Sequence, residues 1–149
     1  MPVVPPPLYA VTGLATQHLL ARKGGVGALR KLAGAAVAAG SLALMAGSAR
    51  RFRAGGTTVE PFRPERASML VTDGPNALTR NPMYVGMAGV LTAHALLRRG
   101  WLPVLPLAAF VGVIDQTQIR PEEEALRELF GEEYDAYCAR VPRWLPGVP

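Results

Sequence analysis

Cysteine is almost missing from this chain: Cys138 stands alone among 149 residues, with only two histidines beside it. One thiol cannot close an intramolecular disulfide, and one Cys with two His cannot complete a four-ligand zinc site. Charge is scarce too, at 18% of residues, against 50% hydrophobic and a mean hydropathy of +0.19. A disordered chain needs the opposite balance. The 16 Gly and 14 Pro follow no three-residue repeat, which excludes a collagen-like fibre. Met1 to Pro7 lacks the positive opening of a secretory signal, and no cleavage site follows the first apolar run, so that run is expected to be retained. The length suits one domain, 1–149.

Long uncharged runs dominate what is there. The first extends from Val3 to Ala21, the second from Leu32 to Ala49, the third from Pro82 to Leu97. The fourth, Trp101 to Ile114, is followed by Asp115 and the polar stretch QTQI. A spanning helix needs roughly 20 mostly apolar residues, with about 17 as the lower limit. Two runs meet this directly and two with their polar flanks. Four soluble helices apolar on every face would leave almost nothing in so short a chain to cover them. The expectation is an all-α integral membrane protein with four transmembrane helices, at 3–21, 32–49, 82–98 and 101–119. A long structured loop precedes the third, and a C-terminal amphipathic helix covers 121–141.

The formal charge of +5 admits nucleic acid or an anionic membrane surface as partner. Placement decides between them. Arg22, Lys23, Arg30 and Lys31 bracket the first connection; Arg50, Arg51 and Arg53 close the second run; Arg98 and Arg99 fill the turn between the third and fourth. Such positions suit snorkelling side chains and lipid phosphates. A nucleic-acid reader needs a basic face interleaved with aromatics. With four spans, the N-terminus, the middle loop and the tail share the side richer in Lys and Arg, and that side is expected to be cytoplasmic, although the short, purely basic first connection pulls the other way. Gly34 and Ala38, with Gly40 and Gly47, are expected to let helices approach closely. Gly24, Gly25 and Gly27 follow no strand and so do not read as a phosphate loop.

Two polar segments remain. Arg50 to Asn81 holds the turn signals Gly55-Gly56, Pro61, Pro64 and Asp73-Gly74-Pro75, and its apolar Phe62, Met69, Leu70 and Val71 predict that it folds back onto the protein. In the second, Pro121 suits a first helical position, and Glu122, Glu123 and Glu124 then meet the positive end of a helix dipole. Leu126, Leu129, Phe130, Tyr134, Tyr137 and Val141 recur at helical spacing, and Gly131 is a candidate break.

The stretch LVTDGPNALTRNPMYVG, Leu70 to Gly86, resembles the first signature of the isoprenylcysteine carboxyl methyltransferase and phospholipid methyltransferase superfamily. The tail EEEALRELFGEEYDAYCARVPRWLP, Glu122 to Pro146, resembles its second: a Glu pair, Phe-Gly, spaced tyrosines and Val-Pro-Arg. GTTVEPFRP, from Gly56, is similar to that family's approach to the first motif. The resemblance covers roughly the C-terminal two-thirds. It implies a multi-pass membrane enzyme that methylates a lipid or hydrophobic small molecule with S-adenosylmethionine and releases S-adenosylhomocysteine. Carried over, Leu70, Val71, Gly74 and Pro75 would line the cofactor, Arg80, Asn81, Pro82 and Tyr84 would form the central motif, and Glu122 and Glu123 would match the Glu pair.

The residue chemistry is compatible. A carboxylate such as Glu123 can accept ribose hydroxyls or an ammonium, and Arg80 can fork onto a carboxylate. Arg80 and Glu123 are the candidate catalytic pair. Asn81 stands where the family more often has His, and Asn76 where a tyrosine would be; Asn81 suits a cofactor contact but not a general base. Gln118, with Arg120 nearby, occupies the place of an arginine expected to meet a substrate carboxylate, which weakens the case for prenylcysteine carboxyl methylation more than for methyl transfer itself.

Among other polar residues, His94 is read as an interhelical hydrogen-bonding group or as a substrate contact, together with Gln118 and Arg120. Asp115 is expected at the interface, with a cavity-facing position that orients substrate as the lesser alternative, Trp101 and Trp144 as interfacial anchors, Cys138 in packing, and Arg140 and Arg143 at headgroups or in solvent. Transfer to a carboxylate, an amine headgroup or a small thiol all remain open, as does a non-enzymatic scaffold or lipid-binding protein. No metal and no obligate protein partner is expected.

Overall fold

In the computed structural model, residues 4–54 and 69–147 are described; Gly56 to Pro64, which carry the approach to the first motif, lie outside them. The described residues are helical and contain no strand. Helix α1 is Pro6–Leu20, α2 Ala28–Ala54, α3 Pro82–Leu96, α4 Val104–Ile114, α5 Arg120–Phe130 and α6 Glu132–Arg140. A short 3-10 turn, Gly74–Ala77, precedes α3. The all-α expectation holds. By length and composition one helix among the described residues, α2 with 27 residues, is apolar enough to cross a membrane. At 15 residues each, α1 and α3 are about 22 Å long, less than the roughly 30 Å of a hydrocarbon core.

Helix α3 is the centre of the bundle and packs against α1, α2 and α4. Its Tyr84, Met87 and Leu91 meet Phe110 and Ile114 of α4, with Ile119 and Trp144, and with Tyr9 and Leu14 of α1 at the edge. The α2–α3 contact is close because both sides are small. A methyl added at Gly89 would overlap Ser41, and one at Gly86 would overlap Met45. Gly34 lies under Leu97, and Gly47 against Pro75. Gly40 has no neighbour within contact distance and plays no part in this approach. Ridge depth, rather than hydrophobicity, sets such an interface when the surroundings are as apolar as the helices.

One polar tie closes the end of the bundle where α3 finishes. Gln17 of α1 is fully buried, and its Nε2 donates to the carbonyls of Leu91 (3.0 Å) and Pro103 (2.7 Å). That fixes its Oε1 as the atom facing His94 Nδ1 at 2.8 Å, so His94 donates from Nδ1. Its Nε2 accepts from Arg98. His94 is thus the interhelical hydrogen-bonding group.

The fourth apolar run does not stop before Pro121. Ile114, Asp115, Ile119 and Arg120 all have helical backbone angles, and Asp115 to Ile119 form a π-helical turn. The amide of Arg120 donates to the Asp115 carbonyl, five residues back. Proline inside a helix removes a donor and crowds the preceding turn, and a π turn before it accommodates both effects. The expected fresh start at Pro121 is therefore the interior of one helical rod, and Glu122 to Glu124 meet no free helix N-terminus. The rod ends at Gly131, whose φ of 50° turns the chain into α6.

Candidate functional site

The site is assembled by the segment before α3, the start of α5, and the tail after α6. Gly74 takes φ 59°, a left-handed conformation that glycine adopts without penalty, and this turns the chain into the 3-10 turn. Tyr137 of α6 donates its hydroxyl to the Asn76 carbonyl at 2.6 Å, which docks that turn onto the C-terminal helix. Leu70 packs on the Tyr134, Tyr137 and Val141 cluster, and Val71 is buried.

The tail is then stitched to residues 79–81. Arg80 N–H donates to the Pro142 carbonyl at 2.9 Å, while Thr79 Oγ1 and Asn81 Nδ2 each donate to the Arg143 carbonyl at 3.0 Å. Asn81 also directs its backbone N–H to Thr79 Oγ1 at 3.1 Å. With its backbone held this way, Arg143 turns its guanidinium onto Glu123, Nε to Oε1 at 3.0 Å and Nη2 to Oε2 at 2.7 Å. Arg80 Nη2 reaches the same Oε1 at 2.9 Å. The Glu123 side chain, 9% exposed, sits between two guanidiniums. Two-atom pairing of this kind is the strongest arrangement available to an Arg and a carboxylate.

Glu122 is in a different situation. Its Oε1 accepts from the Tyr84 hydroxyl at 2.6 Å, and among the described residues no cation pairs with it. Burial pushes its carboxyl up to about 7; the Tyr84 hydrogen bond works against that, and the neighbouring Glu123 charge adds to it. Arg143, by contrast, is raised above its usual range by its bond to Glu123.

Asp115 extends the network. Its Oδ1 accepts from Arg143 Nη1 and from the Trp144 indole, both at 3.3 Å, and its Oδ2 accepts from Arg120 at 3.2 Å. Arg80, Arg120 and Arg143 therefore face two carboxylates in ion pairs, Asp115 and Glu123, leaving a net positive charge before Glu122 is counted.

Several expectations change. The acidic pair divides: Glu123 is occupied by two arginines rather than open to a ribose or an ammonium, and Glu122 has the free capacity. Arg80 directs Nη2 to Glu123, and its buried Nε has no partner among the described residues. His94 is not at the site; it lies ten residues along α3 from Tyr84, about 15 Å at the helical rise. Gln118 is buried in the π turn, and Arg120 is exposed apart from its bond to Asp115. Trp144 is a core residue bonded to Asp115 and not an interfacial anchor; Trp101 is exposed.

Sequence reasoning missed Arg143, Asp115 and Tyr137. Val-Pro-Arg was visible as a motif, yet nothing local says that a tail arginine would return to Glu123. Asp115 did carry a signal, being the one carboxylate at the end of an apolar run.

Residues 29–133 match a family model described as phospholipid methyltransferase. Protein-S-isoprenylcysteine O-methyltransferase of Schizosaccharomyces pombe is 31% identical over 81 residues, 54% of this chain and 34% of that protein. The match thus spans about a third of that relative's length. An uncharacterized protein of Haemophilus influenzae is 40% identical over 63 residues, 42% of this chain and 100% of its own. No solved structure matches the chain.

Proposed function

The chain belongs to the phospholipid methyltransferase family, and from that membership we propose that it moves a methyl group from S-adenosylmethionine to a hydrophobic or lipid-like acceptor within a membrane. The single observation that supports this most is the convergence of two motifs 43 residues apart, Arg80 bonded to Glu123, with Tyr84 bonded to Glu122 beside them. A scaffold has no need to bury such a network, which costs several kcal/mol per ion in desolvation.

The residues present fit the cofactor. Among the described residues, two buried polar atoms of the first motif have no protein partner, the donor Arg80 Nε and the acceptor Asn76 Oδ1. A donor and an acceptor left open together suit an amino-acid end that carries a carboxylate and an ammonium. In this reading Arg80 meets the carboxylate, Asn76 the ammonium, and Leu70, Val71, Gly74 and Pro75 form the wall. Asn81 and Tyr84 border the same space. When bound, S-adenosylmethionine supplies a methyl on a sulfonium, activated for attack by a nucleophile held in line. Glu123 acts by positioning Arg80 and Arg143, and Glu122 holds or takes up a proton near neutrality.

The excess of guanidinium over ionised carboxylate favours an anionic acceptor, so O-methylation of a carboxylate is the leading reading, with Arg143 or Arg120 as its partner. Such an acceptor surrenders no proton. Glu122, with its carboxyl raised to about 7, favours a second reading: it could take the proton that an amine or thiol acceptor must lose. An apolar groove of about 360 Å³ between α1 and α4 would admit a hydrocarbon tail from the side. Its wall residues Tyr9 and Phe110 belong to the same cluster as Tyr84.

We read α1 to α4 as four membrane helices of one domain, with the site on the cytoplasmic side. The test is calorimetric titration of the detergent-solubilised chain with S-adenosylhomocysteine, followed by transfer of labelled methyl into lipid extracts. Binding lost in Arg80→Ala is the expected result. A folded wild type that gives no heat and transfers no label would overturn the enzyme reading.

A further inference from the structure

The end of the bundle opposite the site is built from two loops that interlock. The loop after α1 and the loop after α3 meet in one antiparallel backbone bridge between Arg22 and Arg99, with Arg22 N–H donating to the Arg99 carbonyl at 3.1 Å. Each arginine lies over a glycine of the other loop. Arg99 crosses Gly24, where a Cβ would stand 2.8 Å from its Nη1, and Arg22 crosses Gly100 at 3.6 Å. Both glycines have positive φ, 117° and 90°, so each loop takes a shape that lets the arginine of the facing loop cross it, with the two arginine backbones bridged. Like charges directly opposite in a bridged pair destabilise it.

No carboxylate relieves that repulsion among the described residues. The six ion pairs all involve acidic side chains from Asp73 onward, and none includes Arg22, Lys23, Lys31, Arg98 or Arg99. Arg30 is directed to the carbonyls of Ala95 and Arg98, and Arg98 to His94. Among the described residues, no ion pair or side-chain hydrogen bond involves the cationic heads of Arg22, Lys23, Lys31 and Arg99. Around them stand exposed apolar side chains: Leu19 at 83%, Leu29 at 81%, Leu32 and Trp101 at 69%.

We propose that the paired loops bind the phosphate of an anionic phospholipid in the leaflet opposite the candidate active site. The phosphate bridges Arg22 and Arg99 and supplies the counter-charge that the described residues do not, while the acyl chains cover the leucines and Trp101 reaches the headgroup level. The apolar surround selects lipid over free phosphate. This rests on the membrane placement given above but not on methyl transfer.

The test uses the full chain in bilayer discs of phosphatidylcholine containing trace spin-labelled phosphatidylglycerol or spin-labelled phosphatidylcholine. The immobilised fraction reports preference. Wild type should favour phosphatidylglycerol, and each of Arg22→Gln and Arg99→Gln should reduce that preference about fivefold. The double variant Arg22→Lys with Arg99→Lys should keep most of it, which separates lost charge from lost folding. Inorganic phosphate that abolishes the preference at matched ionic strength would assign the site to free anion and overturn the lipid reading. So would equal preference in wild type, or an equal loss in Arg140→Gln, whose arginine ends α6 at the other face. S-adenosylhomocysteine binding, measured on the same samples, should not respond to the loop variants.

Discussion

Tyr84 on α3 donates its hydroxyl to Glu122 on α5 at 2.6 Å, joining two residues 38 positions apart in the chain. The bond places a carboxyl that has no cationic partner among the described residues against a buried phenol. Its proton affinity therefore becomes a property of the folded state, and stability depends on pH through it.

The sign follows from the direction of the shift. Glu122 has a folded value of about 7 against an ordinary 4.5, so the folded chain binds the proton more tightly than the unfolded one. The resulting stabilisation is complete below the ordinary value and is lost as pH rises through about 7. Thermal midpoints should fall across that interval in wild type, and Glu122→Gln should flatten that dependence. An unchanged slope in the variant would refute it.

Removing Glu123 should be costly. Glu123→Ala removes the carboxylate that Arg80 pairs with and leaves Arg143 only Asp115, and breaking a buried pair from one side costs about 3 kcal/mol or more. Chemical denaturation in detergent measures this. S-adenosylhomocysteine binding should disappear in any folded fraction, because both guanidiniums lose their orientation.

Arg80→Lys tests the open Nε. A lysine ammonium can still reach Glu123 but has no second donor in the guanidinium plane. Stability should change by less than about 1 kcal/mol, whereas affinity for S-adenosylhomocysteine should fall about tenfold. Calorimetry that returns the wild-type affinity would remove Arg80 Nε from the cofactor site.

Close helix approach gives a fourth expectation. Gly89→Ala forces Ser41 and the α2–α3 pair apart and should cost about 1–3 kcal/mol. Gly112→Ala, with nothing within contact distance, should be neutral or stabilising by up to about 1 kcal/mol. Parallel thermal scans of the two variants settle the contrast.

What was legible in the sequence was whatever local spacing controls. The four apolar runs each contain a helix, Gly131 breaks the last segment, and the two signatures carry the family. Long-range electrostatics were not legible. Nothing in the order of residues says that Arg143 returns to clasp Glu123, so the paired carboxylates looked equivalent when only one is available. Trp144 differs for the same reason: an indole near the end of a chain suits an interface until a distant Asp115 accepts its hydrogen bond. Pro121 illustrates a different limit. Its chemistry is as compatible with a bulged helix interior as with a helix start, and only the backbone of Asp115 to Ile119 decides.

That bulge makes α4 and α5 a single lever. From Val104 to Phe130 the backbone is unbroken, about 40 Å of helix at the usual rise, with its lower part packed against α1 and α3 and its upper part bearing Glu122 and Glu123. In the membrane placement proposed above, a thinner or thicker bilayer that tilts the lower arm would swing both carboxylates relative to Tyr84 on α3 and to Arg80 in the segment before it. On that proposal, bilayer thickness and the geometry of the candidate site are coupled mechanically.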